Sequence, residues 1–223
     1  MIVDERMVTY INSLDRGSGE FLDRLELQAK KDQVPIIRRE MQSFLKVLLQ
    51  IKKPSRILEI GTAVGFSALL MCRYTPDTTT VTTIEKYEKR IPIAKENFRA
   101  ANMQDRIIFL EGDAMDILKS LEGTYDFIFM DAAKGQYIHY LPEVMRLLEP
   151  EGILVSDNVL QEGDIIESHF AVERRNRTIY KRMRDYLYEL KHHDCLETSI
   201  LPVGDGAAVS VRLPDDRKEE NKL

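Results

Sequence analysis

Three oxygen-bearing side chains follow two apolar segments of the chain. Asp131 comes directly after residues 125–130, and Asp157 and Asn158 come directly after the apolar run at 153–156. We interpret both segments as buried parallel strands, and ligands bind where the carboxyl ends of such strands meet. Carboxylate and amide oxygens are the donors that Mg²⁺ and Ca²⁺ prefer. The pattern therefore predicts a divalent cation held by Asp131, Asp157 and Asn158.

A lysine lies close to these oxygens in the sequence. Lys134 is three residues beyond Asp131, and we interpret it as a candidate base beside the cation. A simpler interpretation remains for each residue. Strand-end Asp and Asn side chains often cap the helix or turn that follows, and Lys134 would then be a solvated loop lysine.

A glycine turn follows an earlier apolar segment, at 57–60. It reads Glu59-Ile60-Gly61-Thr62-Ala63-Val64-Gly65. Glycines let the backbone turn sharply and approach a ligand closely. The GxxxG spacing is neither the dinucleotide fingerprint nor a Walker loop. A turn that serves only packing is the simpler alternative.

Acidic residues follow the next two predicted strands. Glu85 ends the run at 80–84, where an acid can bind ribose hydroxyls. Asp113 lies in Glu-Gly-Asp-Ala at 111–114, where it would border an adenine ring. This order suggests S-adenosylmethionine (SAM), which has no phosphate and carries a positive sulfonium that nearby carboxylates favour.

Strand and helix patterns alternate through most of the chain, which predicts an α/β fold with a mostly parallel sheet and helices on both faces. The segments at 196–201 and 207–211 flank a Gly-Asp-Gly turn, so we expect an antiparallel hairpin at one edge. Residues 1–50 are predicted to form a helical cap, with Phe44, Val47, Leu48 and Ile51 on one face of its last helix. Predicted strands lie at 57–60, 80–84, 106–110, 125–130 and 153–156, and predicted helices near 66–73, 88–101, 113–121 and 140–148.

Length and composition are those of an ordinary globular protein. The chain has 223 residues, 43% of them hydrophobic, and a net charge of −5 that does not by itself indicate nucleic-acid binding. We expect a single domain over 1–223 in the cytoplasm, because no apolar run could span a membrane, no secretory leader is visible, and Cys72 and Cys195 have no CxxC partner. The charged tail at 215–223 is predicted to fray.

These motifs resemble those of the metal-dependent O-methyltransferases of the catechol and caffeoyl-CoA type. The resemblance extends from about Ile36 to Arg212. It implies a Rossmann-like class I methyltransferase fold with seven strands, SAM as cofactor, Mg²⁺ or another divalent cation, and a homodimer. The motifs that carry it are LEIGTAVGFS at 58–67, Glu85, EGDA at 111–114, MDAAKGQY at 130–137 and VSDNVL at 155–160.

The resemblance also implies a role for each matching residue. Lys134 and Asp131 would be catalytic, and Asp131, Asp157 and Asn158 would bind the metal. Ala133 stands where the plant enzymes have a further acid, and Ala63 where catechol enzymes often have an aromatic residue. Both differences weaken the case for catechol or CoA-ester substrates. The cofactor would be lined by Ile37, Glu59, Gly61, Thr62, Ser67, Glu85, Asp113, Ala114 and Asp131.

A dense run of cations occupies residues 174–184, after the second metal-binding strand. Such clusters bind phosphate backbones, and arginine can stack on unpaired bases. A solvated helix is the simpler alternative. The candidate RNA-binding residues are Arg174, Arg175, Arg177, Lys181 and Arg182.

The chain as a whole also resembles the bacterial tRNA 5-hydroxyuridine methyltransferases. This implies that the substrate is the anticodon region of tRNA, where the 5-hydroxyl of wobble 5-hydroxyuridine becomes 5-methoxyuridine. The alternatives are a catechol-type methyltransferase of small molecules and a binding module without chemistry.

Overall fold

The computed structural model describes residues 3–168 and 170–214, so the predicted fraying of 215–223 lies outside the described residues. The chain divides into two compact units. We call Glu5–Ser120 the N-terminal unit, and Leu121–Leu223 with residues 1–4 the C-terminal unit. The single domain expected over 1–223 stays a prediction.

The N-terminal unit contains the helical cap and three strands. Strand β2 pairs in parallel with β1 and with β3. Its helices are α1 (Glu5–Ser13), α2 (Glu20–Lys31), α3 (Arg39–Lys52), α4 (Phe66–Arg73), α5 (Ile91–Ala100) and α6 (Ala114–Ser120), and its strands are β1 (Arg56–Ile60), β2 (Thr80–Glu85) and β3 (Ile107–Glu111).

The C-terminal unit contains the other four of the seven strands of the sheet. Strand β4 pairs in parallel with β5, and β7 pairs antiparallel with both β5 and β6. Its elements are β4 (Tyr125–Met130), α7 (Tyr137–Leu147), β5 (Leu148–Asp157), α8 (Arg177–His192), β6 (Leu196–Leu201) and β7 (Ala207–Arg212), with 3₁₀ turns at Lys134–Gln136, Gln161–Ile166 and Arg174–Asn176.

The predicted fold class and hairpin are therefore confirmed. The central strands contain apolar runs, such as residues 127–130 of β4, as strands covered on both faces require. Phe127, Ile128, Phe129 and Met130 of β4 have no exposed surface. These runs hold the carboxyl ends of the strands rigidly, and every residue with a predicted chemical role in the metal or cofactor sites lies at or near such an end, apart from Ile37 and Ser67.

Some predicted boundaries and one helix face were wrong. Helix α5 begins at Ile91, with a proline in its first turn, rather than near Glu88. In α3 the buried positions include Met41, Leu45 and Leu49, whereas Ile51 of the predicted face is 73% exposed. The buried residues recur every four positions, which is also a helical period. Periodicity alone could not choose between the two adjacent apolar stripes.

The cap also exposes apolar side chains on its first helix. Tyr10 and Ile11 of α1 are 66% and 52% exposed. The homodimer that the resemblance implies stays a prediction. No helix within the described ranges is both long enough and apolar enough to cross a membrane.

Candidate active site

The glycine turn lies where β1 ends, within the N-terminal unit. The backbone N–H groups of Gly61 and Thr62 both donate to the carbonyl oxygen of Ile84, each at 3.1 Å. Gly65 has a φ of +86°, and a Cβ there would overlap the ring of Phe98. Glycine is therefore required at this position by both conformation and space.

Glu85 is held rigidly beside this turn. Its Oε2 accepts the N–H of Ala63 at 2.8 Å, and its Oε1 accepts the N–H groups of Lys86 and Tyr87 at 2.9 and 2.8 Å. The residue is only 8% exposed. A carboxylate fixed in this way is preorganised for a paired contact with two neighbouring hydroxyls, as a ribose presents them.

A chain of buried polar groups lies beneath the turn. Thr83 donates its hydroxyl hydrogen to Glu59 Oε2. The hydroxyl oxygens of Thr62 and Thr83 are 2.5 Å apart, and all three residues are buried. This network links the ends of β1 and β2, so Glu59 and Thr62 occupy fixed positions.

Asp113 directly precedes α6, the helix that follows β3. Its Oδ1 accepts the N–H of Met115 at 2.9 Å, and Lys86 Nζ lies 3.2 Å from its Oδ2. The Met115 N–H and then the Lys86 ammonium hold the pKa of Asp113 below its ordinary value. Asp113 therefore acts here as a helix cap, the simpler role weighed for strand-end acids.

The predicted cofactor residues are divided between the two units. Glu59, Gly61, Thr62 and Glu85 gather at the ends of β1 and β2. Ile37 and Ser67 are buried in the same unit, and Ala114 opens α6. Asp131 belongs to the C-terminal unit. Their roles in cofactor binding stay predictions.

Two carboxylates meet where β4 and β5 end. The strands are in register at Met130 and Ser156, so Asp131 and Asp157, the next residue of each, are neighbours. Asp157 is 1% exposed, and its Oδ1 accepts the N–H of Asn158 at 2.7 Å. Asn158 has a φ of +57°, a left-handed conformation that asparagine tolerates better than most residues.

Ionisation of both Asp131 and Asp157 is unfavourable when no cation is bound. Burial, and secondly the charge of Asp131, raise the pKa of Asp157 to about 8. Burial also raises the pKa of Asp131 to about 6, although the Lys134 ammonium opposes this. Two ionised carboxylates in a low-dielectric site need positive charge nearby. Hard oxygen donors of this kind fit a divalent cation.

The metal assignment nevertheless stays a prediction. Within residues 3–168 and 170–214, no group of three or more His, Cys, Asp or Glu side chains could hold a metal ion. The predicted set of Asp131, Asp157 and Asn158 contains two carboxylates and one amide, so water and substrate oxygens would have to complete the coordination.

We expect stabilisation by Mg²⁺ to increase with pH. Without metal, the folded protein favours protonated Asp157, so its contribution to stability is full below the ordinary pKa of 3.8 and is lost as pH rises through about 8. A bound cation favours the ionised form and offsets that loss. Thermal unfolding with and without Mg²⁺ from about pH 5 to about pH 8 checks this. A melting-temperature shift that is constant or falls with pH would contradict it.

Tyr137 connects the carboxyl ends of β4 and β5 through hydrogen bonds. It is fully buried, and its hydroxyl lies 3.2 Å from the carbonyl oxygen of Met130 and 3.1 Å from that of Asp157. Its ring packs edge-on against Tyr186, with centroids 5.5 Å apart. Tyr137 is therefore part of the packed core.

Lys134 lies in the 3₁₀ turn after β4, and its partner was not foreseen from the sequence. Its Nζ donates to Asp205 Oδ2 at 3.0 Å. Asp205 is 3% exposed, and its Oδ1 accepts the N–H of Glu162. The Asp205-Gly206 dipeptide predicted only the hairpin turn between β6 and β7. A buried carboxylate paired with a candidate base could not be inferred from that pattern.

The cationic segment lies next to the Lys134 turn. Arg182 Nη1 donates to the carbonyl oxygen of Gly135 at 3.1 Å. Arg177 Nε donates to the carbonyl oxygen of Val172 at 3.1 Å, and Arg175 pairs with the exposed Glu173 at 2.7 Å. Some of these arginines therefore hold loops. A cleft of about 350 Å³ here is lined by Arg177, Thr178, Lys181, Arg182 and Asp185.

Comparison with known proteins gives one consistent result. The model of the O-methyltransferase family matches residues 15–213. Caffeoyl-CoA O-methyltransferase 5 of Nicotiana tabacum is 32% identical over 184 residues, which cover 76% of this chain and 74% of that protein. A catechol O-methyltransferase of Niastella koreensis is 33% identical over 130 residues, which cover 56% of this chain and 59% of that protein.

Solved structures are similar over nearly the whole chain. A Staphylococcus aureus protein, described as a candidate caffeoyl-CoA O-methyltransferase, has a TM-score of 0.85 at 30% identity and covers 92% of this chain and 98% of its own. The SAH-bound methyltransferase PaMTH1 of Podospora anserina has a TM-score of 0.85 at 28% identity and covers 96% of this chain and 97% of its own.

Proposed function

The chain belongs to the O-methyltransferase family, and from that premise we propose that it transfers the methyl group of SAM to a substrate hydroxyl with the help of a divalent cation. The observation that carries the cation is the pair formed by the half-buried Asp131 and the buried Asp157 at neighbouring strand ends. SAM is supported by the SAH-bound relative, since SAH is the product that SAM leaves after methyl transfer.

Different residues of the chain would bind the cofactor, bind the cation and remove the proton. Glu85, fixed by three backbone N–H groups, would hold the ribose of SAM. Asp131, Asp157 and Asn158 would hold the cation, which when bound lowers the pKa of a coordinated hydroxyl. Lys134 would remove the hydroxyl proton. The oxygen would then attack the methyl carbon in line, so positioning contributes much of the rate.

For the substrate we propose 5-hydroxyuridine at the wobble position of tRNA. Its 5-hydroxyl lies beside the O4 carbonyl, a chelating pair like that of a catechol. The supporting observation is that the cationic segment contacts the Lys134 turn through Arg182 and Gly135. A phosphate backbone bound there would lie close to the candidate base.

A small-molecule substrate is the second candidate. The specific observation in its favour is that the curated relatives are named as caffeoyl-CoA and catechol O-methyltransferases. Moreover, Arg177 and Arg182 already bind backbone carbonyls, which lowers the number of cations left for RNA.

One experiment distinguishes the two. The protein is incubated with SAM, with and without Mg²⁺, and with tRNA that contains unmethylated 5-hydroxyuridine, and the nucleosides are then resolved by mass spectrometry. We expect 5-hydroxyuridine to be converted to 5-methoxyuridine and chelator to abolish the conversion. Methylation of catechol but not of tRNA would support the proposed mechanism and would identify a small molecule as the substrate.

The cationic segment gives an independent check. Replacing Arg174 and Lys181 with glutamine should weaken tRNA binding and reduce the salt dependence of binding by about two phosphate contacts. Neither residue lies at the acidic pair, so turnover of catechol should stay within about twofold of wild type. Lys119→Gln, on the short helix α6 of the N-terminal unit, is the control. Unchanged tRNA binding would argue against the RNA proposal.

A further inference from the structure

The hydroxyl of Tyr137 lies where the pairing of β4 with β5 ends. The last residues of these two strands in register are Met130 and Ser156. Asp131 and Asp157, the carboxylates predicted to bind the cation, each come one residue later. The ladder between β4 and β5 therefore does not by itself fix the distance between these two residues.

That one hydroxyl contacts the backbone of both strand ends. It lies 3.2 Å from the carbonyl oxygen of Met130 and 3.1 Å from that of Asp157, so its single hydrogen can be shared between the two acceptors. It also accepts the N–H of Ala132 at 3.3 Å. Met130 and Ala132 flank Asp131. The hydroxyl therefore holds the backbone on both sides of the first carboxylate and at the second.

Packing of the ring does not account for the hydroxyl. Tyr137 has no exposed surface, and its ring packs against Tyr186. A phenylalanine would keep that contact, whereas a buried hydroxyl is costly unless it is hydrogen-bonded. Tyr137 is also the first residue of α7, so its backbone is anchored by a helix. What the hydroxyl adds is a cross-link between β4 and β5 beyond the end of their ladder.

We propose that Tyr137 is the positioning residue for the cation site. This inference rests on the proposed function, in which Asp131 and Asp157 bind the cation. Tyr137 acts through the backbone that carries the two carboxylates and keeps them at a spacing that one cation can bridge. Spacing matters most for Mg²⁺, which requires near-octahedral coordination at about 2.0–2.1 Å, whereas Ca²⁺ accepts more varied geometry.

Metal binding by a variant without this hydroxyl tests the inference. Tyr137→Phe removes one oxygen and keeps the ring. In calorimetric titrations with SAH present, we expect the variant to bind Mg²⁺ roughly 10- to 100-fold more weakly than the wild type, the range for groups that support metal ligands. Ca²⁺ binding should weaken less. Wild-type affinity for Mg²⁺, or an equal loss for both cations, would overturn the inference.

Tyr186→Phe is the matched control. It deletes another fully buried tyrosine hydroxyl, which lies 2.6 Å from Ser156 Oγ, and it keeps the ring that packs against Tyr137. Its contact is with a side-chain oxygen rather than with the backbone of a strand end. Mg²⁺ affinity should therefore equal that of the wild type. An equal loss in the two variants would show a general loosening of the core and overturn the inference.

Hydrogen exchange of the Ala132 amide gives a second measurement. Because this N–H donates to the Tyr137 hydroxyl, its exchange followed by NMR should be faster in Tyr137→Phe and unchanged in Tyr186→Phe. Coupling between two equilibria is reciprocal, so Mg²⁺ should slow the same exchange in the wild type, a result that needs no variant. An Ala132 amide that exchanges equally fast with and without Mg²⁺ would overturn the inference.

The two levels of failure can be told apart. If the wild type binds no divalent cation, the proposed function loses its cation and this inference fails with it. If the wild type binds Mg²⁺ and Tyr137→Phe binds it equally well, only this inference fails. Thermal unfolding in chelator and SAM binding of each variant identify any that has failed to fold, and the Mg²⁺ effect on the wild-type Ala132 amide then decides.

Discussion

Asp157→Asn is expected to abolish metal-dependent methyl transfer while it stabilises the metal-free protein. The replacement keeps the shape of the side chain and removes the charge of the buried Asp157. Replacing a group that only supports a metal ligand lowers metal affinity or activity roughly 10- to 100-fold. Loss of the ligand's own charge should therefore lower kcat/KM by more than about 100-fold. Stabilisation by Mg²⁺ should disappear with it.

The gain in metal-free stability follows from the sign of the pKa shift. Burial raises the pKa of Asp157 to about 8, so near pH 8 the folded protein resists an ionisation that the unfolded chain undergoes freely. Asparagine has no such cost. We expect the free energy of unfolding at pH 8 to rise on the order of 2 kcal/mol, and the gain to vanish near pH 4.

Chemical denaturation and activity assays of the same preparations check both effects. Asp194→Asn, an exposed acid between α8 and β6, is the control and should change neither quantity. An Asp157→Asn protein that is less stable at pH 8 would mean that its charge is compensated in the metal-free fold. An Asp157→Asn protein that retained Mg²⁺-dependent activity would exclude Asp157 as a metal ligand.

The parts of this fold that sequence predicts well are those set by local pattern. The strand from Tyr125 to Met130 is apolar except at Asp126, and the Gly-Asp-Gly turn marks the hairpin before β7. Strand-end chemistry is equally visible, because a parallel sheet brings Asp131 and Asp157 to one edge whatever the loops do.

What sequence could not predict depends on contacts between distant segments. Asp205 meets Lys134 across 71 positions of the chain. The buried stripe of α3 was assigned to the wrong face, since Met41, Leu45 and Leu49 compete with an adjacent apolar stripe of equal period. Likewise, the cations of α8 predict phosphate binding, but the tertiary fold directs Arg182 to the carbonyl oxygen of Gly135. In each case the sequence pattern identifies the type of residue, whereas tertiary packing determines which other residue it contacts.

Replacing Lys134 should reveal whether it acts as a base or only as a charge. Lys134→Ala is expected to lower kcat by roughly 100- to 10,000-fold, the range for removing a positioned general base. Lys134→Arg keeps the positive charge and the pairing with Asp205, but a guanidinium does not deprotonate in proteins. It should therefore be nearly as inactive as Lys134→Ala if proton removal is the role.

The acidity of the acceptor gives a sharper test of the same point. A nitro group withdraws electron density, so the hydroxyl of 4-nitrocatechol ionises far more readily than that of catechol. If the wild type methylates catechols, the loss in Lys134→Ala should be much smaller with 4-nitrocatechol, because less depends on a base. SAM binding should match wild type in both variants. Full activity in Lys134→Arg, or an equal loss with both acceptors, would assign Lys134 an electrostatic role instead. The base would then be sought among the groups around the acidic pair.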